Sequence, residues 1–218
     1  AIECAPGQYQ VREHSRTEYY RKDGTYVSEA KVKTYCKEYQ NFKPLKLKFE
    51  EKMPRGWPHK KEKFKKWSEL EKKKVTAIIN NLPKALNQVG ELKILRADKS
   101  ETPNNPASSA PEKNIIVIYD SIKDYDLQRV LAHELAHLLY LSLPGDTINA
   151  YSESADWKRD GKGNYTTTRT NFTEEDGSTG PEEDFANSVE HILFNKDVQK
   201  VLKKEIFNCL KKILENIK

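Results

Sequence analysis

The sequence lacks any run of 18 apolar residues, so we expect no transmembrane helix. It also lacks short tandem repeats. Collagen-like and disordered chains are excluded because Tyr (11), Phe (7) and Trp (3) are too numerous. A chain of 218 residues with 36% apolar side chains can bury a sizeable core. These properties predict one large domain, or a main domain with a small appendage.

Charge is distributed unevenly along the chain, whose 38 basic and 33 acidic side chains give a net charge of +5. Residues 1–80 contain 20 basic and 11 acidic side chains, which is a local net charge of +9. Glutamates nevertheless interrupt the lysine-rich stretch over residues 60–74. Mixed charge of this kind is typical of a solvated helix face. We therefore expect no nucleic acid partner.

The cysteines Cys4, Cys36 and Cys209 differ in their surroundings. Cys4 and Cys36 bracket a segment rich in strand-forming residues, and a disulfide between them would close this end of the chain. Cys209 falls on the apolar stripe of a predicted helix and is interpreted as a buried free thiol. The chain begins without methionine, as a mature protein does after removal of a signal peptide. We therefore expect a secreted or periplasmic protein.

The sequence pattern predicts an α+β fold in two parts. Aromatic and branched residues alternate with charged ones up to Cys36, and Lys22-Asp23-Gly24 can form a hairpin turn. We interpret residues 1–43 as a small β unit closed by the disulfide. Prolines interrupt residues 44–58, which we interpret as a linker. Residues 59–218 are predicted to form the main domain.

Hydrophobic periodicity and helix-stop signals divide the main domain into helices and strands. Residues 145–180 have little periodicity, and a long structureless segment in a compact domain usually serves a site. Along the chain we predict a helix over 60–82, a strand over 92–95, a loop over 100–111, a strand over 114–119, and helices over 122–142, from Gly180-Pro181 onwards, and over 197–216.

The helix predicted over 122–142 contains the HExxH motif, His133-Glu134-Leu135-Ala136-His137. Residues four apart lie on one helix face, so both imidazoles can bind one tetrahedral zinc ion. Glu134 lies beside them, where it can deprotonate a zinc-bound water. Zinc lowers the pKa of such a water to about 7, which provides a nucleophile at neutral pH. The motif therefore predicts one zinc ion per chain and hydrolytic chemistry.

A zinc site of this type needs a third protein ligand. The metzincin pattern HExxHxxGxxH is excluded because Tyr140 and Leu143 occupy its glycine and histidine positions. An aspartate ligand stays open, although the Gly-Thr-x-Asp pattern of aspartate-ligated zinc proteases is absent. Glu182 and Glu183, at the start of the next predicted helix, are the glutamate candidates, and helical spacing alone does not choose between them.

HELAH followed by the segment Glu-Asp-Phe-Ala resembles the gluzincin metallopeptidases, in particular those related to the catalytic domain of anthrax lethal factor. The resemblance covers about residues 110–200. It implies a gluzincin-like metallopeptidase domain in which Glu183 is the third ligand and Glu182 is its solvated neighbour. Relatives often have a glutamate four residues further on, where Asn187 stands here; Asn187 can still accept a histidine N–H bond but adds no charge.

The resemblance also implies a tyrosine that donates to the oxyanion of the transition state. In the lethal factor group this tyrosine shortly precedes the third ligand, but residues 174–180 contain none. Tyr165 is the nearest candidate, and Tyr151 is more distant.

The resulting expectation is a secreted, monomeric zinc endopeptidase that acts on a peptide or protein. The strand over 114–119 is expected to form the sheet edge at which an extended substrate binds. In an alternative, the β unit binds a surface polymer or cell wall and the zinc site is vestigial, which the charge of +9 and the tyrosines of the first part favour. A third possibility is a zinc amidase acting on a non-protein amide, because HExxH specifies the chemistry and not the substrate.

Overall fold

The structure, a computed structural model, describes residues 3–6, 8–11, 14–21, 23–38, 43–161 and 164–216. It contains both helices and strands, as predicted. The strands of the described part are β1 Gln8–Val11, β2 His14–Arg16, β3 Tyr19–Tyr20, β4 Tyr26–Val27, β5 Ala30–Val32, β6 Tyr35–Glu38, β7 Lys43–Phe49, β8 Phe64–Lys65, β9 Val89–Ala97, β10 Ala107–Ala110, β11 Ile115–Tyr119, β12 Trp157–Arg159 and β13 Tyr165–Thr167.

The helices lie mostly in the second half of the chain. None of those in the described ranges is long and apolar enough to cross a membrane. The α-helices are α1 Glu69–Asn80, α2 Asp124–Ser142, α3 Gly145–Ser154, α4 Pro181–Phe194, α5 Val198–Val201 and α6 Lys204–Asn216, and short 3₁₀ helices span Lys84–Asn87, Pro111–Lys113 and Glu175–Thr179.

A seven-stranded mixed sheet has the order β3-β4-β10-β11-β9-β7, with β8 also paired to β9. The predicted strand over 114–119 is confirmed as β11, whose five residues are all buried. It lies between β9 and β10 and not at the sheet edge, so that expectation is wrong. An uncharged apolar run is typical of an interior strand, because an edge strand needs features that prevent further pairing.

The helices predicted over 122–142 and from Gly180-Pro181 are confirmed as α2 and α4, which pack against each other. Pro181 occupies the first turn of α4, where its missing N–H has no cost. The helix predicted over 60–82 is shorter, because Ser68 and Glu71 form a capping box that begins α1 at residue 69. Apolar residues of α2 and α4 meet in the main hydrophobic core.

Two segments contain more regular structure than the sequence predicts. The proline-rich stretch interpreted as a loop includes β10, whose small residues give no strand signal. Residues 145–180 are not structureless, because they contain α3, β12 and β13. Tyr151 and Trp157 from this segment are buried in the core. Cys209 is free, as expected, but it is only half-buried.

The first six strands form one antiparallel hairpin over residues 8–38, which we call the N-terminal hairpin. The predicted Cys4–Cys36 disulfide is confirmed and joins the segment before the first arm to Cys36 in the second arm. The predicted turn is confirmed at Asp23 and Gly24, with Gly24 at φ +91°, whereas Lys22 lies outside the described residues. The three strand pairings continue a single register, from Gln8↔Glu38 through His14↔Val32 to Tyr20↔Tyr26.

The central sheet crosses the boundary that was predicted between the β unit and the main domain. Strand β4 of the N-terminal hairpin pairs in parallel with β10. The stretch interpreted as a linker begins with β7, which pairs in parallel with β9 at the far edge of the sheet. Pro44 is compatible with this position, because an edge strand can lack one N–H donor.

Candidate metal centre

Helix α2 presents both histidines of the HExxH motif on one face. The Nε2 atoms of His133 and His137 lie 3.1 Å apart, as the four-residue spacing predicts. Both side chains are almost completely buried. The flanking positions of the helix are apolar and pack into the core, which fixes the helix that carries the two imidazoles.

Glu183 in the first turn of α4 completes the cluster. Its Oε1 lies 2.9 Å from Nε2 of His133, and its Oε2 lies 3.0 Å from Nε2 of His137. Ligands about 2.0–2.1 Å from a tetrahedral zinc ion are about 3.3 Å apart, so these distances are close to those of a zinc site. The three residues therefore fit a metal ion, and they form a buried group able to hold one.

Two further carboxylates face the other ring nitrogens. Nδ1 of His137 lies 3.0 Å from Oε1 of Glu182, and Nδ1 of His133 lies 3.4 Å from Oε2 of Glu190. Arg129 holds Glu190 from the opposite side by donating from Nε over 2.9 Å. Carboxylates at Nδ1 favour the proton there and leave the Nε2 lone pairs for a metal. Glu182 is therefore a partner of His137 and not merely a solvated neighbour.

Glu134 is buried beside the cluster and is held by groups from two other parts of the chain. Ser109 on β10 donates its hydroxyl to Oε2 over 2.6 Å, and Arg21 of the N-terminal hairpin donates to Oε1 over 2.5 Å. Burial alone would raise the pKa of Glu134, but the charges of Arg21 and both imidazoles outweigh it and lower that pKa. Glu134 is therefore an ionised carboxylate that can accept a proton.

The N-terminal hairpin contributes two side chains to Glu183. Tyr19 donates its hydroxyl to Oε2 over 2.8 Å, and Arg21 donates from Nε to Oε1 over 3.1 Å. Burial would lower the pKa of Arg21, but Glu183 and Glu134 hold it well above its ordinary value. The charges of Arg21 and the imidazoles likewise overcome burial and hold the pKa of Glu183 well below its ordinary value.

Two residues carried over from the resemblance lie in other contacts. Asn187 donates its amide to Asp176 over 2.7 Å. Tyr165 lies on β13, where the Arg159 guanidinium stacks 4.8 Å from its ring centre. The tyrosine that the structure brings to the cluster is Tyr19, so the role proposed for Tyr165 stays a prediction without a contact to support it.

Asp184, the neighbour of Glu183, belongs to a separate buried group. It forms an ion pair with Arg169 and accepts hydrogen bonds from Trp157 and Tyr151. Three partners on the segment after α2 therefore fix the first turn of α4, where Glu183 lies. These contacts engage Asp184 away from the cluster, so they do not favour it as the aspartate ligand that the sequence leaves open.

Sequence reasoning missed several residues of the centre, although a signal existed for some of them. Glu190 follows Glu183 by seven residues and therefore shares its helix face, and Arg129 precedes His133 by four. No such spacing connects Tyr19 and Arg21 to residues more than 110 positions away. Comparisons of the chain with protein-family models, curated proteins and solved structures gave no significant match.

Proposed function

We propose that the protein is a gluzincin-like zinc endopeptidase with His133, His137 and Glu183 as its metal ligands. The observation that carries this proposal is the position of the Glu183 carboxylate, which meets both imidazole Nε2 atoms at 2.9 and 3.0 Å. The resemblance of HELAH and Glu-Asp-Phe-Ala to gluzincins supports the same ligand set. A structural ion pair would not need a further buried carboxylate, Glu134, that shares the partner Arg21 with Glu183.

A zinc ion bound here would polarise the scissile carbonyl and acidify a water molecule. In the proposed reaction, Glu134 takes a proton from the attacking water and later passes it to the leaving amine. In this structure the charges of Arg21 and the imidazoles outweigh burial and hold the pKa of Glu134 below its ordinary value. Ser109 restrains Oε2 of Glu134, so we assign the proton transfer to Oε1, which contacts Arg21 in this structure.

An extended peptide suits the surroundings of Glu134 better than a compact amide. Ser109, which bonds to Glu134, lies on β10, whose edge away from β11 is paired with β4 of the N-terminal hairpin. A substrate strand that took the place of β4 at this edge would run past Glu134 and the metal ligands. β10 therefore takes the role that the sequence analysis gave to residues 114–119. The zinc amidase alternative uses the same ligands and differs from this proposal only in substrate.

The Cys4–Cys36 disulfide is compatible with a protein that works in an oxidising compartment. We include secretion in the proposal for this reason. The hairpin that the disulfide closes has no contact that identifies a surface polymer, so the binding-protein alternative gains no support from the described residues.

The proposal is tested by comparing Glu134→Gln with Glu205→Gln, a matched change at an exposed position on α6. Both proteins are expected to hold about one zinc per chain. Glu134→Gln should lower the rate of peptide hydrolysis by about 10²–10⁴-fold, because it removes the proton acceptor. Equal and measurable peptidase rates in the two variants would refute the mechanism, and hydrolysis of only non-peptide amides would favour the amidase.

A further inference from the structure

The tip of the N-terminal hairpin occupies the centre of the proposed active site. Arg21 donates to three separate groups: Nη1 to Glu134 over 2.5 Å, Nε to Glu183 over 3.1 Å, and Nη2 to Nε2 of His137 over 3.0 Å. Two of these partners are proposed metal ligands, and the third is the proposed base. One guanidinium therefore uses lone pairs that metal binding and catalysis both require.

The positive charge of Arg21 prevents a metal ion from binding at Glu183 and His137 while the guanidinium stays in place. In the described contacts it balances Glu134 and Glu183, which are both nearly fully buried. A divalent cation held by Glu183 and His137 would lie only a few Å from the guanidinium, and like charges repel strongly in a buried site. Arg21 and a metal ion cannot both keep these positions. Tyr19 adds to the competition by donating to the second oxygen of Glu183.

The backbone of the same hairpin covers the edge of β10. Tyr26 pairs with Ser108 and Val27 with Ser109 in a parallel register, and both hairpin residues are fully buried. The next residue, Ser28, donates its N–H to the Ser109 carbonyl over 3.0 Å. These are the main-chain groups that an extended substrate would need. A peptide can pair with β10 only after β4 has left it.

Other contacts hold the hairpin against the main domain. Arg16 pairs with Glu112 of the main domain, while its bond to the Ser28 carbonyl over 2.7 Å lies within the hairpin. The Tyr26 ring meets His59 edge-on with 4.5 Å between ring centres. The turn approaches the neighbouring loop so closely that a Cβ on Gly24 would lie 3.2 Å from Pro106. The contacts of the tip are therefore part of an extensive packed interface.

From these observations we propose that the N-terminal hairpin is an internal inhibitor of the enzyme. Arg21 fills the metal centre, and β4 occupies the substrate edge, so activation requires withdrawal of the hairpin tip. This inference rests on the proposed function, since it assumes that the cluster binds zinc and that β10 binds peptide. It adds that zinc and the hairpin tip compete for Glu183 and His137.

The test compares Arg21→Met with Lys31→Met, which is a matched change at an exposed position of the same hairpin. Zinc affinity is measured by competition with a chromophoric chelator, and thermal unfolding is recorded with and without zinc. Arg21→Met should raise zinc affinity about ten-fold or more, because zinc no longer has to displace the Arg21 guanidinium before it can bind. Zinc should also raise the unfolding temperature more in Arg21→Met, since its carboxylates have lost their counterion.

Tyr19→Phe is a milder variant that keeps the buried charges paired. It should raise zinc affinity by a smaller factor than Arg21→Met, and it serves as the main comparison if Arg21→Met folds only with zinc. Equal zinc affinities in Tyr19→Phe, Arg21→Met and Lys31→Met would overturn the inference.

Hydrolysis of fluorescently quenched casein by the zinc-loaded proteins separates this inference from the proposed function. The inference predicts faster hydrolysis by Arg21→Met than by Lys31→Met. Active proteins with equal rates and equal zinc affinities would overturn the inhibitory role alone. If no variant binds zinc, the metal centre and the inhibitory role are both wrong.

Discussion

Glu190 Oε2 lies 3.4 Å from Nδ1 of His133, on the ring nitrogen that faces away from Glu183. The carboxylate is itself held by Arg129, so it can orient the imidazole and keep its Nε2 lone pair directed at the metal. Glu190→Gln should therefore weaken zinc binding about 10–100-fold. The same chelator competition on Glu205→Gln provides the control, and identical affinities would show that Glu190 has no positioning role.

Glu183 and Glu182 are neighbours with different partners, and the pair gives a graded prediction. Glu183→Gln replaces the anionic metal ligand that lies against both imidazoles by a neutral amide. It should cause the larger loss of zinc affinity. Glu182→Gln removes only the partner of His137 Nδ1 and should weaken binding about 10–100-fold. Isothermal titration of both variants checks the order, which would be reversed if Glu182 were the ligand.

The buried ion pair between Arg169 and Asp184 should stabilise the fold around α4. Their side chains are 2% and 1% exposed, whereas those of the Lys203–Asp156 pair are both 44% exposed. Arg169→Met should lower the free energy of unfolding by about 3–5 kcal/mol, because it leaves a buried carboxylate unpaired. Lys203→Met should cost only about 0–1 kcal/mol. Urea unfolding of both variants tests this, and similar losses would contradict the assignment.

The disulfide should stabilise the hairpin by restricting the unfolded chain. Its cysteines are 32 residues apart, for which the loop-entropy relation gives about 3–4 kcal/mol. A Cys4→Ser/Cys36→Ser variant should therefore unfold at markedly lower urea concentration than Cys209→Ser, the control. Alkylation before reduction should label Cys209 and leave Cys4 unmodified. A labelled Cys4 in the native protein would mean that the bond is absent.

Local patterns predicted the parts of the site that lie on single helices. The HExxH spacing puts His133 and His137 together on any helix, and the first turn of α4 needed only Gly180-Pro181 to be recognised. The sequence also predicted β11 from its uninterrupted apolar run. These features depend on short-range periodicity, which a single sequence contains in full.

The features that were missed depend on contacts between distant segments. Arg21 reaches Glu134 across 113 positions, and no periodicity records such a pairing. The sequence did not predict β10, because its Ala and Ser residues have low strand propensity. Its conformation is determined by its neighbours in the sheet. The regular structure after α2 was also missed. Tyr151 and Trp157 of this segment donate hydrogen bonds to Asp184, a contact that forms only in the folded protein.

The central claim is that His133, His137 and Glu183 hold a zinc ion, and anomalous diffraction at the zinc edge tests it most directly. Crystals grown with zinc should give one peak per chain, about 2.0–2.1 Å from Nε2 of both histidines and from an oxygen of Glu183. Arg21 should have moved away from that position. A peak elsewhere, or no peak at this cluster at saturating zinc, would contradict the account.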